Sequence, residues 1–582
     1  MWCRASDSSR TLSHILVGCQ IHLTAGTNSL KLGADFRAND VPPFQNRPST
    51  MKFARLHWLI IELILGCLCL SCGREPKDRS ARAPGPLLGG ELRLAAQSPE
   101  SLDPILSNNY WESEIALQLF DGLVRFDANL NTVAALAQDW KVSPDGRTYL
   151  FTLRQGARFH HGREITAEDF VYSLTRLLDP KWKSNDAQHY AHILGAADFQ
   201  AGRSPTVAGL RALNSSTLQI ALDEPYAPFL RLLAQQPASV VPKELVENSE
   251  HPFGQNPVGT GAFRLERWIP GTEILLAANP VYHSGRPHLE KVRITTLPAL
   301  NARESFQLFV DGKLDLSFVP PEQATLAQSE RKWVFINRPV LRVMYLGMNV
   351  KDRLLRDPSV RRAVASAINK TELFGTDLDH AVIHGLLPTS LLGSSPAGHP
   401  DLYDPQSARD LLKREHKQKP KIQLWHAQAS QSRKALLQRM ASQLEGVGFI
   451  VQIKNLSSMA ELLNMIYARK TQLFLLGEQF DYPDPDALLN RLFRSTSPAN
   501  PFGYSNSKVD ALLLEAQRAL DDNSRAELYS RIESTIMRDY PALPLSVVKY
   551  SIACLARVQG LQVTPLGFQY LPLREVWLKA EN

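Results

Sequence analysis

The chain has 582 residues, 44% apolar and 21% charged, with 65 Lys and Arg against 58 Asp and Glu for a formal charge of +7. This is globular usage and excludes a fibrous or largely disordered chain, while the length calls for two or three domains because a single core stops growing well below it. The basic excess is dispersed and lacks the clustered Lys/Arg with interleaved aromatics of a nucleic-acid surface, so no nucleic-acid partner is expected.

Five of the six cysteines (Cys3, Cys19, Cys67, Cys69, Cys72) fall in the first 72 residues, leaving Cys554 alone in the body. The body therefore has no disulfide framework. Cys69 and Cys72 have C-x-x-C spacing, but without a second pair or nearby histidines they make no metal site. From Met51 the chain reads Met-Lys-Phe-Ala-Arg, then a mostly apolar run over 56–70 broken by His57 and Glu62, then Ser71-Cys72-Gly73. A basic start, an apolar run and small residues make an export signal, and the run falls short of the roughly 20 residues that span a bilayer. Such a signal works at a chain start, so residues 1–50 are expected to lie upstream of the true start codon. Residues 51–71 are read as the signal peptide, and 72–90, rich in Pro, Gly and charge, as a flexible tether. The small residue before Cys72 resembles a bacterial lipobox, in which the cysteine is diacylated after cleavage. Cys72 is the expected attachment site, with Cys67 the alternative. Removing residues 1–71 takes out seven Lys/Arg and four Asp/Glu and reduces the charge from +7 to +4.

In the body, 92–96 alternates as a first strand, followed by a Ser-Leu-Asp-Pro turn at 101–104. Ile115, Leu119 and Leu123 recur at helical spacing and predict a helix over 112–123. Two alternating runs flank Pro144-Asp145-Gly146 and predict a β-hairpin over 140–153. Thr166, followed by Glu168 and Asp169, caps a helix running to Leu178. Gly259-Thr260-Gly261 reads as a turn into strands at 274–277 and 292–296. Beyond it, strands at 343–348, 422–425 and 449–453 alternate with helices at 358–369 and 433–447, which argues for α/β domains.

No H-E-x-x-H, G-x-S-x-G or P-loop sequence is present, which weighs against an enzyme. Gly259-Thr260-Gly261 lacks the third glycine of a dinucleotide fingerprint and leads into a strand. His160 and His161 are neighbours rather than one helical turn apart, so a loop or capping role is expected of them. No cofactor and no metal are expected.

Several segments together resemble the family 5 extracellular solute-binding proteins, the oligopeptide-, dipeptide- and nickel-binding group of ABC importers. They are Leu102-Asp103-Pro104, Leu119 to Leu123, Leu136 to Trp140 with Gly146 to Tyr149, Leu153 to His160, and Thr166 to Asp169. Later ones are Gly259 to Phe263, Asn279 to Tyr282, Arg361 to Ala363 with Ala367 to Lys370, Asp481 to Asp486, and Pro541 to Leu545. The resemblance spans roughly 90–575. It implies an α/β, two-lobe periplasmic-binding-protein fold, class II and of the large peptide-binding type, with an extra subdomain inserted in the first lobe. The implied boundaries are lobe I over 91–108, 258–346 and 541–582, the inserted subdomain over 109–257, and lobe II over 347–540.

The same resemblance implies a monomeric receptor in the periplasm or cell envelope. It would capture peptides, most simply oligopeptides, hand them to ABC permease subunits, and be held to the membrane by its N-terminal lipid. Peptide-binding relatives place an aspartate for the ligand's α-ammonium in the segment matching Phe480-Asp481-Tyr482, which points to Asp481 beside Tyr482; the other reading of Asp481 is a turn cap before Pro483. Trp425 falls where the family has a cleft aromatic, with Tyr110 or Trp111 facing it; each is otherwise core packing. Where dipeptide-binding relatives carry an arginine for the peptide carboxylate, this chain has Gln431, a departure that leans toward longer peptides or another ligand. Competing readings are a nickel-chelate, opine or sugar receptor, which His426 keeps open, an envelope hydrolase or peptidase, and a sensory or chaperone protein on the same fold.

Overall fold

The computed structural model describes residues 85–580 apart from 108, 248–251, 396–398, 416–417 and 429. The export signal and both lipidation candidates, Cys72 and Cys67, lie outside the described residues. Strand β1 (Glu91–Gln97) alternates buried and half-buried positions as its sequence predicts. The helix Tyr110–Leu119 follows, with the Asn109 side chain accepting from the Trp111 and Glu112 amides. It stops short of the predicted end because the Leu119 carbonyl accepts instead from the amides of Thr260 and Gly261, at 3.0 and 2.8 Å.

The chain then builds a subdomain. A small hairpin, β2 (Val124–Phe126) and β3 (Thr132–Ala134), precedes an antiparallel sheet of β4 (Ala137–Val142), β5 (Thr148–Leu153), β6 (Leu210–Asn214) and β7 (Thr217–Ala221), in the order β4-β5-β7-β6. The predicted hairpin is β4–β5, and Gly146 at its tip takes φ +69°, a left-handed conformation that favours glycine. The helix Ala167–Leu178 begins in a capping box formed by Thr166 and Asp169. Its Phe170 and Leu174 share a core with Tyr149, Phe151, Leu218 and Ile220 of the sheet.

Strands β8 (Phe263–Ile269), β9 (Glu273–Ala278) and β10 (Lys291–Leu297) complete a first-lobe sheet of order β1-β10-β9-β8, in which β1 and β10 are parallel. Trp111, Ile115 and Leu119 of the first helix pack into its core with Leu92, Ile274 and Val292, and so do Leu571 and Leu573 from near the C-terminus. In the loop before β8, a Cβ on Gly259 would sit 1.9 Å from the Leu119 carbonyl oxygen, and one on Gly261 would sit 2.4 Å from that of Gln118. His160 straps this loop: its Nδ1 accepts from the Gly259 amide at 3.2 Å and its Nε2 lies 3.1 Å from the Gly261 carbonyl. The glycines thus serve backbone packing, and His160 serves the loop.

The largest sheet holds β11 (Leu316–Phe318), β12 (Trp333–Met348), β13 (His380–Val382), β14 (Lys421–Ala427), β15 (Ile450–Leu456), β16 (Leu473–Gln479) and β17 (Ala542–Leu555). The helices Pro358–Ala367 and Gln431–Val447 cover its second-lobe part, where Leu346, Val364, Leu424 and Met440 share one core. Strands β12 and β17 link the lobes. Trp333–Pro339 pairs with the end of β17 beside β11, whereas Val343–Gly347 pairs with the start of β17 beside β16. Between Pro339, opposite Lys549, and Val343, opposite Val547, the register slips. Pro339 has no N–H for the ladder, and an irregularity of this kind bends and twists a strand pair locally. These two strands are the hinge of a two-lobed α/β protein.

Candidate functional site

A cleft of about 870 Å³ lies along the hinge, lined from both lobes. On the first-lobe side the lining is aromatic. Tyr110 and Trp111, on the first turn of their helix, have ring centroids 4.6 Å apart; Trp111 meets Phe318 of β11 edge-on at 6.0 Å, and Phe318 meets Tyr550 of β17 at 5.2 Å. Such a row offers flat apolar area with polar tips. The second-lobe side is mixed: Met344 and Tyr345 of β12, Leu475 to Glu478 of β16, His426 at the end of β14, Arg433, Met459 and Arg491. The Tyr345 hydroxyl and His426 Nδ1 are buried in this wall with no hydrogen-bond partner, which marks them as groups a ligand or water satisfies.

Both signs of charge face the cleft. Glu478 accepts from Arg491 Nη1, yet burial outweighs that attraction and holds its carboxyl up at about 7. Asp379 is pushed up to about 6 by burial and by neighbouring Asp377. His380 is pushed down to about 4, mainly by burial, and its Nδ1 lies 2.9 Å from Ser546 Oγ. Lys549 Nζ donates to the Asp377 carbonyl at 3.1 Å. Among the described residues, no group of three or more His, Cys, Asp or Glu is placed to hold a metal ion, and no helix is long and apolar enough to cross a membrane.

Of the residues singled out from sequence, Tyr110 and Trp111 line the cleft, and the other four do not. Trp425 is 8% exposed, packs in a core, and donates from Nε1 to Gln423 Oε1 at 3.2 Å. Its neighbour His426 is the one in the cleft wall. Tyr482 is 3% exposed, its hydroxyl turned to Asp486. Gln431 is the exposed first residue of its helix, just after the cap Ser430. Asp481 has a side chain 45% exposed and lies outside the lining, its Oδ2 3.9 Å from Arg491 Nη1 and 3.9 Å from His189 Nε2. It neighbours Arg491, the partner of Glu478.

Sequence reasoning missed Glu478, Arg342 and Arg433. A signal existed for Arg433: it is the third residue of a helix with no acid in its first turn, where the dipole disfavours positive charge. Arg342 had none, because its place depends on the pairing of β12 with the distant strands β16 and β17.

The family model for bacterial extracellular solute-binding proteins, family 5 (middle), matches residues 131–500. The dipeptide-binding protein of Escherichia coli (strain K12) is 27% identical over 499 residues, covering 81% of this chain and 91% of that protein. The glutathione-binding protein of Salmonella typhi is 26% identical over 486 residues, covering 81% and 91%. The periplasmic murein tripeptide binding protein MppA, in its unliganded open form, superposes with a TM-score of 0.74 at 24% identity, covering 85% of this chain and 99% of that one. The fold, the hinged cleft and a family match over most of the body agree, and the chain belongs to the family 5 bacterial extracellular solute-binding proteins.

Proposed function

We propose that this protein captures peptides in the cleft between its lobes and delivers them to the permease subunits of an ABC importer. The observation that carries the reading is the cleft itself: an aromatic wall on one lobe faces acids and bases on the other across a two-strand hinge. Closure about such a hinge expels water and strengthens every polar contact inside. Peptide ligands match this surface, with an ammonium for the acids, a carboxylate for the bases and side chains for the aromatic row. The dipeptide- and glutathione-binding relatives support the class. Gln431 in place of an arginine, and a volume toward the upper end of the roughly 300–1,000 Å³ usual for small-molecule sites, favour peptides longer than two residues.

The ligand's ammonium is assigned to Glu478, which faces the cleft, and to Asp481, 3.9 Å from Arg491. A desolvated ammonium requires an opposite charge there. The protein acts as a monomeric binder and not as a hydrolase, held at the membrane by lipid on Cys72, or on Cys67.

Mass spectrometry of protein purified natively, together with thermal shifts in a mixed peptide library, tests the reading. Bound peptide masses and an upward shift are expected, since a ligand that binds the folded state stabilises it by mass action. No carried peptide and no shift would end it, and peptides cleaved on incubation would favour a peptidase. Asp481→Ala is expected to weaken peptides with free amines at least tenfold more than their N-acetylated forms; equal losses would remove Asp481 from the site.

A further inference from the structure

A second, much smaller cavity of about 20 Å³ shares no residue with the cleft. Its lining carries two bases, Arg125 of β2 and Arg574 near the C-terminus, and one acid, Asp121. Asp121 is already engaged: the Tyr282 hydroxyl donates to its Oδ1 at 3.3 Å, and His283 Nε2 lies 2.9 Å from its Oδ2. Burial raises the Asp121 carboxyl, but the His283 bond and the charges of His283, Arg125 and Arg574 outweigh it and hold the group below its ordinary value. Both arginines are half-buried, and among the described residues neither forms an ion pair with Asp121. Arg125 donates from Nη1 to Ser284 Oγ at 3.2 Å, while its Nε is buried with no hydrogen-bond partner. Arg574 Nε is likewise without a hydrogen bond, 3.4 Å from Oε1 of the exposed Glu575. Gln235 Nε2 is a third buried N–H group of the lining with no partner.

Size and charge together decide what suits this cavity. A single water-sized occupant needs roughly 10–15 Å³, so a space of about 20 Å³ takes one such particle and excludes a carboxylate, phosphate or sulfate. The three orphan groups are all donors, and two of them belong to cations. A water must donate as well as accept, whereas a monatomic anion accepts from every side. Two guanidiniums against one engaged carboxylate leave an excess of positive charge, which is costly away from bulk water until a counter-charge meets it. We infer that Arg125, Arg574 and Gln235 hold a chloride ion in this cavity. The ion would fasten a joint that the chain already makes here: the Phe126 amide donates to the Tyr570 hydroxyl at 2.8 Å, and that hydroxyl donates back to the Phe126 carbonyl at 3.0 Å. Strand β2 and the C-terminal segment are thus tied by one hydroxyl and one shared anion.

Melting curves of the full exported protein test this, with sodium chloride or bromide exchanged for sodium gluconate at constant ionic strength. The midpoint is expected to rise with either halide, by about 1 °C for each tenfold increase above the dissociation constant, and to stay level in gluconate. R574Q should lose the halide dependence. Gln235→Leu, which keeps both charges and removes one donor, should need about tenfold more chloride for the same rise. Anomalous diffraction from crystals grown in bromide gives the direct check, with a peak expected between Arg125 and Arg574. Coincident curves in chloride and gluconate overturn the site, and so does a halide dependence that R574Q and Gln235→Leu both retain. A bromide peak without stabilisation in solution marks an adventitious ion only and overturns it as well. Should neither variant fold, the parent's crystals decide: density there with no anomalous signal is water and ends the proposal, and a bromide peak together with the parent's halide-dependent midpoint upholds it.

Discussion

The hydroxyls of Tyr226 and Tyr482 lie 3.1 Å apart, and each donates to the same oxygen of Asp486, at 2.9 and 3.0 Å. Tyr226 follows β7 and Tyr482 follows β16, and Gln517 Nε2 completes the set on the other Asp486 oxygen at 2.9 Å. Around it, Arg231 reaches Asp484 at 3.3 Å, and the Ala227 amide donates to the Gln517 carbonyl at 2.8 Å. The motif expected to hold ligand thus joins two parts of the fold. Tyr482→Phe is expected to cost about 1–2 kcal/mol of stability, because it strips a donor from a buried carboxylate, and to leave peptide affinity within twofold. A Tyr482→Phe protein of parental melting temperature but weakened binding would return Tyr482 to the site.

The glycine-rich loop before β8 yields a sharper stability prediction. Gly259→Ala drives a methyl group into the Leu119 carbonyl at 1.9 Å, and backbone cannot step aside as a flexible side chain does. A loss of about 3 kcal/mol or more is expected from overpacking of this kind, read as a lowered denaturation midpoint. Gly271→Ala makes the control: it has nothing within 4 Å, so only the strain of its φ of +69° is felt.

Much of the fold was legible because local rules and long-range packing agree. The Pro-Asp-Gly hairpin, the Thr166 cap and the helices of the second lobe each carry their signal within a dozen residues. The cleft was legible only in part. Tyr110 and Trp111 reach it because a capped first turn fixes them there, but Trp425 shows the limit: one step along a strand reverses the face, and His426 takes the place assigned to Trp425. Arg342 and Glu478 stayed hidden because the pairing of β12 with β16 and β17 places them, and no local pattern encodes that pairing.

Glu114 predicts a pH dependence of stability. It lies one turn beyond Tyr110, wholly buried, its Oε2 has no hydrogen-bond partner, and burial raises its carboxyl to about 8. The folded state then holds a proton that the unfolded chain releases above its ordinary value near 4.5, so stability falls as pH rises from that value to about 8. Glu114→Gln removes the dependence. Its gain in stability should be absent at about pH 4 and reach a few kcal/mol at about pH 8.5, since each tenfold difference in proton affinity between the folded and unfolded chain is worth roughly 1.4 kcal/mol. Melting curves across that range check it, and a gain independent of pH would show that Glu114 is ionised throughout.

Glu478 predicts a proton signature of binding. Its carboxyl, held near 7 by burial despite Arg491, is mostly protonated in the empty cleft at about pH 6 and ionised at about pH 8.5. An ammonium docked beside it favours the ionised form and lowers the carboxyl's pKa. Peptide binding at the lower pH must therefore release protons, and affinity for free-amine peptides must fall as pH drops through 7. Calorimetric titrations in two buffers of different ionisation enthalpy measure the release directly. Close to one proton is expected near pH 6 and almost none near pH 8.5, and Glu478→Gln should abolish the difference. Release that persists in Glu478→Gln would assign the proton to another group, with Asp379, held at about 6 on the same wall, the next to replace.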